Sequence, residues 1–157
     1  MRYADIKYPD TFDGLGVRVA LYVQGCSRHC KGCHNPETWN FDGGNDFNEV
    51  AKAKILKILS MPWVAGLSVL GGEPLQQGRE LAIFLQTVKE RFPDKDIWLW
   101  TGYVYEDIKE SHKDILQYVD VLVDGAFIES KKNISLAFRG SENQRIIKLR
   151  EVENNDC

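Results

Sequence analysis

The chain has 157 residues, enough for one domain with a hydrophobic core, and its 43% hydrophobic and 27% charged content is that of an ordinary globular protein. A formal net charge of -3 gives no general attraction to nucleic acid or to an anionic membrane surface. No apolar run approaches the ~20 residues of a membrane span, and the opening MRYADIKYPD lacks the apolar stretch of a signal peptide, so the expected address is the cytoplasm.

The predicted elements begin at residue 17. VRVALYV (17–23) is rich in β-branched and aromatic residues and predicts a strand. DFNEVAKAKILKILSM (46–61) predicts a helix, with Asp46 and Glu49 spaced as a capping box and Phe47, Val50, Ala51, Ile55, Ile58 and Leu59 on one face. GLSVL (66–70) predicts a short buried strand. GRELAIFLQTVKERF (78–92) predicts a second helix, apolar along Leu81, Phe84, Leu85, Val88 and Phe92 and ended by Pro93. DIWLW (96–100) predicts a third strand, followed by a helical region over about 105–118 and a fourth strand at VDVLV (119–123). Residues 124–157 carry no clear pattern as a whole; ESKKNISLAFRGSENQR (129–145) is polar, basic and turn-rich, and RIIKL (145–149) reads as a short last strand.

Alternating strands and helices imply a mostly parallel sheet with right-handed crossovers, in a single domain over residues 1–157. A full eight-fold barrel needs roughly 250 residues, so the expected α/β fold is a partial TIM-type barrel of about four to five strands with flanking helices. An open doubly wound sheet is the competing architecture. In both, chemistry belongs at the C-terminal ends of the strands. The unusual loops fall there: the cysteine loop, GGEPL (71–75), TGY (101–103) and DG (124–125).

Three of the four cysteines lie in GCSRHCKGCHNPETW, as Cys26-x3-Cys30-x2-Cys33. Gly32 and Pro36 argue for a loop here, not a helix. In a reducing compartment such a cluster serves as metal ligands or redox groups. Structural zinc prefers four protein ligands, and this spacing lacks a distant second ligand pair, although His29 or His34 could complete the set. A Cys30–Cys33 redox pair leaves Cys26 without a role. A four-iron cluster normally takes four thiolates, and three leave one iron open to a small molecule. Cys157, the last residue, reads as a free thiol on the tail.

CxxxCxxC followed by GGEPL resembles the radical S-adenosylmethionine (SAM) enzymes. GCHNPETW, VDVLVDGAF (119–127) and FRGSENQRI (138–146) make the chain most similar, over about residues 14–150, to the branch that activates anaerobic ribonucleoside-triphosphate reductase. The resemblance implies a [4Fe-4S] cluster on Cys26, Cys30 and Cys33, with SAM chelating the fourth iron through its amino and carboxylate groups. One electron then breaks the S–C5′ bond, and the adenosyl radical takes a Cα hydrogen from a glycine of the partner. Many superfamily members carry an aromatic residue before the third cysteine; here it is Gly32, so no ring contacts adenine from that position.

The SAM-binding residues implied are Gly32, Cys33, His34, Gly71, Gly72, Glu73 and Thr101. Gly71 and Gly72 let bare backbone approach a ligand, and Pro74 holds Glu73 extended toward the ammonium of SAM. His34 stacks on the nucleoside or caps a turn. His29 is solvated or shields the cluster. Thr101, Gly102, Tyr103 and Asp124 stand where ribose or adenine could rest. Trp98 and Trp100 read as packing, and Lys131 and Lys132 as solvated. Arg139 and Arg145 hold the SAM carboxylate or dock a partner. The implied partners are the large subunit of the anaerobic reductase, which carries the glycine, and a low-potential donor such as flavodoxin. The alternatives are an activator of another glycyl-radical enzyme such as pyruvate formate-lyase, a small-molecule radical SAM enzyme, and a non-catalytic zinc-bound interaction module.

Overall fold

Seven strands form one sheet in the computed structural model, which describes residues 1–150: β1 (Arg2–Asp10), β2 (Val17–Gln24), β3 (Asn45–Asp46), β4 (Val64–Gly71), β5 (Asp96–Trp100), β6 (Val121–Asp124) and β7 (Arg145–Lys148). Their spatial order is β3-β1-β2-β4-β5-β6-β7. The central four, β2, β4, β5 and β6, are parallel neighbours in chain order, while β1, β3 and β7 add antiparallel edges. Cys157 lies outside the described residues. Among those residues no helix is long and apolar enough to cross a membrane.

Four helices follow: α1 (Glu49–Leu59), α2 (Arg79–Arg91), α3 (Tyr105–Ile108) and α4 (Lys113–Leu116). All four bury side chains in one core with Val19, Leu21 and Val23 of β2, Leu67 and Val69 of β4, Ile97 and Leu99 of β5, and Leu122 of β6. Side chains alternate along a strand, so the residues between these face the other way. That second face carries Trp98, Val121 and Val123, with Trp100 and Phe138 packed beside them. Arg18 is buried there. Its guanidinium donates to Ser68 Oγ (2.7 Å) and to the carbonyls of Leu15 and Leu67, and pairs with Asp96 at 2.8 Å.

Several expectations need correction. The sheet has seven strands, not four to five, and only three of its six pairings are parallel. The missed β1 is covered on its outer side only at Arg2 and Tyr3, by β3, and most of its side chains lie outside the core, so it lacks an apolar signature. The helix cap is Asn48, whose side chain accepts from Ala51 N at 3.0 Å; Asp46 instead lies in β3, paired with Arg2. Val50 is 78% exposed, off the buried face. The helical region 105–118 is two short helices, and the fourth strand runs 121–124.

Candidate functional site

A cavity of about 460 Å³ opens on the face of the sheet away from the helices. Its walls include Cys26, Cys30 and Cys33 from the loop after β2, Gly71, Gly72 and Glu73 from the end of β4, and Thr101 and Gly102 after β5. With Gly125 and Phe127 after β6, four loops distant in sequence meet here because the parallel strands all end at one rim.

The cysteine loop is closed at its neck by Gly25 N donating to Thr38 O (2.7 Å) and Cys26 N to Trp39 O (3.1 Å). All three thiols are free and half-buried. Burial pushes the Cys26 thiol up, while the backbone N–H groups of Arg28 and His29 favour its charged form. Asn35 N donates to Cys33 Sγ at 3.4 Å. Three free thiols on one cavity, two of them already facing N–H donors, fit the thiolate ligands of an iron–sulfur cluster. Among the described residues no three His, Cys, Asp or Glu side chains gather around a single ion position; a four-iron cluster asks instead for each thiolate on its own iron.

The glycines of GGEP have a reason beyond ligand approach. Gly72 N donates to Val23 O and Glu73 N to Gly25 O, both at 2.9 Å, carrying the parallel pairing past the end of β4 and onto the cysteine loop. A Cβ on Gly71 would sit 2.7 Å from Val23 O, and one on Gly72 would sit 2.5 Å from Gly25 O. Gly72→Ala must therefore push the two loops apart. Its expected cost is about 1–3 kcal/mol of stability, as for other overpacking changes, read by urea unfolding alongside a lower iron content after anaerobic reconstitution.

Glu73 is 2% exposed. Its carboxylate accepts from Thr101 Oγ1 (2.8 Å), Gly102 N (2.7 Å) and Leu75 N (3.0 Å). Burial pushes its carboxyl up, against these donors and the nearby Arg28. The residue clamps the β4 and β5 loops together, and the three protein donors leave little of its acceptor capacity open. Gln76 extends the clamp: it bonds Ser27 Oγ and Tyr103 Oη, both at 2.8 Å, and Gln77 reaches Gly25 O at 3.2 Å. The sequence reading passed over both glutamines, although they directly follow GGEPL.

Other expected residues separate. His34 lines the cavity, edge-on to Phe127 at 5.0 Å. Gly32 has φ 77° and does not line the cavity; its missing Cβ faces Glu129 and the lining residue Phe127. His29, at φ 47°, stacks on Trp39 at 4.5 Å. Tyr103 carries Arg28 over its ring at 4.7 Å. Trp98 packs as expected, but Trp100 also lines the cavity and donates to Phe138 O at 2.7 Å, pinning the FRGSENQR loop. In that loop Gln144 accepts from Gly140 N and Ser141 N, and Arg139 reaches the Gln144 carbonyl at 2.8 Å. Arg145 does not face the cavity: its guanidinium is taken by Asp124 (2.5 Å) and Glu106 (2.7 Å) beside a smaller neighbouring pocket. Asp124, 1% exposed, also accepts from Tyr105 N and belongs to that ion-pair network. Two N–H donors in the cavity wall, Trp39 Nε1 and Arg139 Nε, are buried without a partner.

The far wall holds Phe12, Asp13 and Tyr22. Burial, with neighbouring Asp10 adding to it, pushes the Asp13 carboxyl up to about 7, against a Tyr22 hydrogen bond and Lys7. A carboxyl raised in the folded state contributes stability fully present below its unfolded value near 4, and that contribution is lost as pH rises through about 7. Asp13→Asn should remove this slope. In urea unfolding of anaerobic protein at pH 5.5 and 8.5, the variant should gain on the unmodified chain at the higher pH; parallel changes at both values would refute it.

The family described as a 4Fe-4S single cluster domain matches residues 12–147. Relatives named anaerobic ribonucleoside-triphosphate reductase-activating protein are 40% identical in Haemophilus influenzae, over 93% of this chain and 97% of theirs. The Pasteurella multocida relative of that name is also 40% identical, over 95% and 98%. The Vibrio cholerae relative is 42% identical, over 88% and 93%. With half-buried thiols and a glycine strap on one cavity, and with this similarity along nearly its whole length, the chain belongs to the family of anaerobic ribonucleoside-triphosphate reductase-activating proteins.

Proposed function

We propose that this chain is a radical SAM activase, a single domain over residues 1–157 that generates a glycyl radical on the large subunit of an anaerobic ribonucleotide reductase. The observation that carries the reading is the meeting of Cys26, Cys30 and Cys33 with Gly71, Gly72 and Glu73 on one cavity. When bound, the [4Fe-4S] cluster and SAM supply the chemistry: one electron breaks the sulfonium S–C5′ bond, and the freed adenosyl carbon takes a glycine Cα hydrogen.

The chain's own residues hold, orient and shield. The three cysteines bind as thiolates, leaving the fourth iron for SAM. Gly71 and Gly72 keep the strap low beside the cysteine loop, and Glu73, tied to Thr101 and Gly102, sets the spacing of the two rims. The remaining acceptor capacity of Glu73 serves the SAM ammonium. Arg139 Nε, unpartnered in the wall, serves the SAM carboxylate. Cys33 and His34 lie along the nucleoside, with Gly32 shaping the turn that carries them. Leu70, Trp100, Phe127 and Phe138 exclude water.

The sheet is read as an incomplete TIM-type barrel. Its parallel strands run in chain order with no reversal, and the helices share one face. The uncovered side admits an extended glycine-bearing segment of the reductase. A low-potential carrier such as flavodoxin supplies the electron, in the cytoplasm. To test the reading, anaerobic reconstituted protein is mixed with SAM, reductant and the reductase subunit. A glycyl doublet on the subunit is expected by paramagnetic resonance. Colourless protein holding stoichiometric zinc and giving no doublet would refute it.

A further inference from the structure

Trp39 carries a donor that nothing in the protein satisfies. Its Nε1 is buried and unpartnered, in the wall that also holds Cys26, Cys30 and Cys33. An indole N–H can only donate, and a buried donor without an acceptor costs about 1–3 kcal/mol. The fold nevertheless fixes the ring firmly. The Trp39 carbonyl accepts from Cys26 N at 3.1 Å, its backbone N–H donates to Pro36 O at 3.2 Å, and its ring stacks on His29 at 4.5 Å with an interplanar angle of 21°. His29 pays for that stack with a left-handed backbone, φ 47°, which side chains other than glycine's seldom adopt. Both limbs of the cysteine loop thus hold one indole at the loop's neck, with its N–H shut off from solvent.

Another N–H group of this loop already meets sulfur: that of Asn35 donates to Cys33 Sγ at 3.4 Å. Resting on the cluster assignment above, we infer that the Trp39 indole donates a hydrogen bond to a sulfur of the cluster, thiolate or sulfide, and raises its reduction potential. The direction follows from charge. The reduced cluster is one electron more negative, so a donor stabilises it more than the oxidised form. Trp39 is in this sense a positioning residue for the electron.

The test is Trp39→Phe, which keeps an aromatic ring against His29 but removes the N–H together with the rest of the five-membered ring, set beside Trp39→benzothienylalanine, which keeps the bicyclic shape and lacks the N–H. The unmodified chain and both variants are reconstituted anaerobically, matched for iron and sulfide, and titrated with dithionite without SAM under paramagnetic resonance. At a fixed solution potential the ratio of reduced to oxidised cluster should fall roughly threefold to tenfold in each variant, the span expected for one charge-assisted hydrogen bond felt differently by two redox states. Their iron–sulfur stretching bands should also shift in resonance Raman spectra. Equal ratios and unshifted bands at equal loading would overturn the inference. So would a difference that arises only after SAM is added, which would give the N–H to the nucleoside. If Trp39→Phe fails to load iron, Trp39→benzothienylalanine decides alone. Failure of the unmodified chain to form any cluster would instead count against the function on which the inference rests.

Discussion

Cys30→Ala is expected to abolish glycyl-radical formation on the reductase subunit. The loss should exceed roughly 100-fold, the upper range for removing a residue that merely supports a metal ligand. Cys30 shares one cavity wall with Cys26 and Cys33, and no fourth described cysteine stands in reserve. With two thiolates left, a second iron loses its protein anchor. Iron and sulfide content after anaerobic reconstitution should fall with the glycyl doublet. The loop itself should persist, because its neck bonds, Gly25 to Thr38 and Cys26 to Trp39, use backbone alone. Circular dichroism and urea unfolding of the metal-free proteins should therefore nearly coincide. A variant that still produced the doublet would remove Cys30 from the cluster.

Arg18→Ala should have the largest effect on stability. The guanidinium is fully buried on the cavity side of the sheet, between β2, β4 and β5. It joins Ser68, the carbonyls of Leu15 and Leu67, and the Asp96 carboxylate, and lies 5.6 Å from the centre of the Trp98 ring. Truncation leaves buried acceptors unpaired and a hole beside Trp98. The Asp96 side chain is 43% exposed, so the cost lies mainly in the buried acceptors left unpaired, at about 1–3 kcal/mol each, and should sum to about 3–5 kcal/mol. At roughly 2–4 °C per kcal/mol for a domain near this size, the midpoint of thermal unfolding should drop by about 6–20 °C. Arg18→Lys should recover little, since one ammonium cannot span these acceptors. A change under about 1 kcal/mol in urea unfolding would mean that the guanidinium does not hold the open face together.

The motifs that line the cavity were legible in the sequence because they are local. Cys26, Cys30 and Cys33 fall within eight residues, and GGEPL within five; spacing marked the first as a thiol loop, and only the family resemblance marked the second as a ligand strap. The central strands and both long helices were legible because burial imposes a helical period on α1 and α2 and fills β2 with a nearly continuous apolar run. The edges were not. β1 is mostly polar and exists because β2 offers it a partner, and two-residue β3 exists because β1 does.

Side-chain partnerships were likewise decided only by the tertiary structure. Glu73 and Thr101 are 28 residues apart, and Arg145 and Asp124 are 21 apart. Parallel crossovers bring the first pair to one rim, while β7 turns Arg145 away from the cavity and onto Asp124. Arg18 gave no sign of a buried network, because three of its acceptors, the carbonyls of Leu15, Leu67 and Asp96, are backbone groups that any residue type supplies. Sequence by itself determined which atoms are available for chemistry, since composition and spacing are covalent facts. Only the fold decided which of them face the cavity, because that depends on strand register and on where each buried polar group finds its partner.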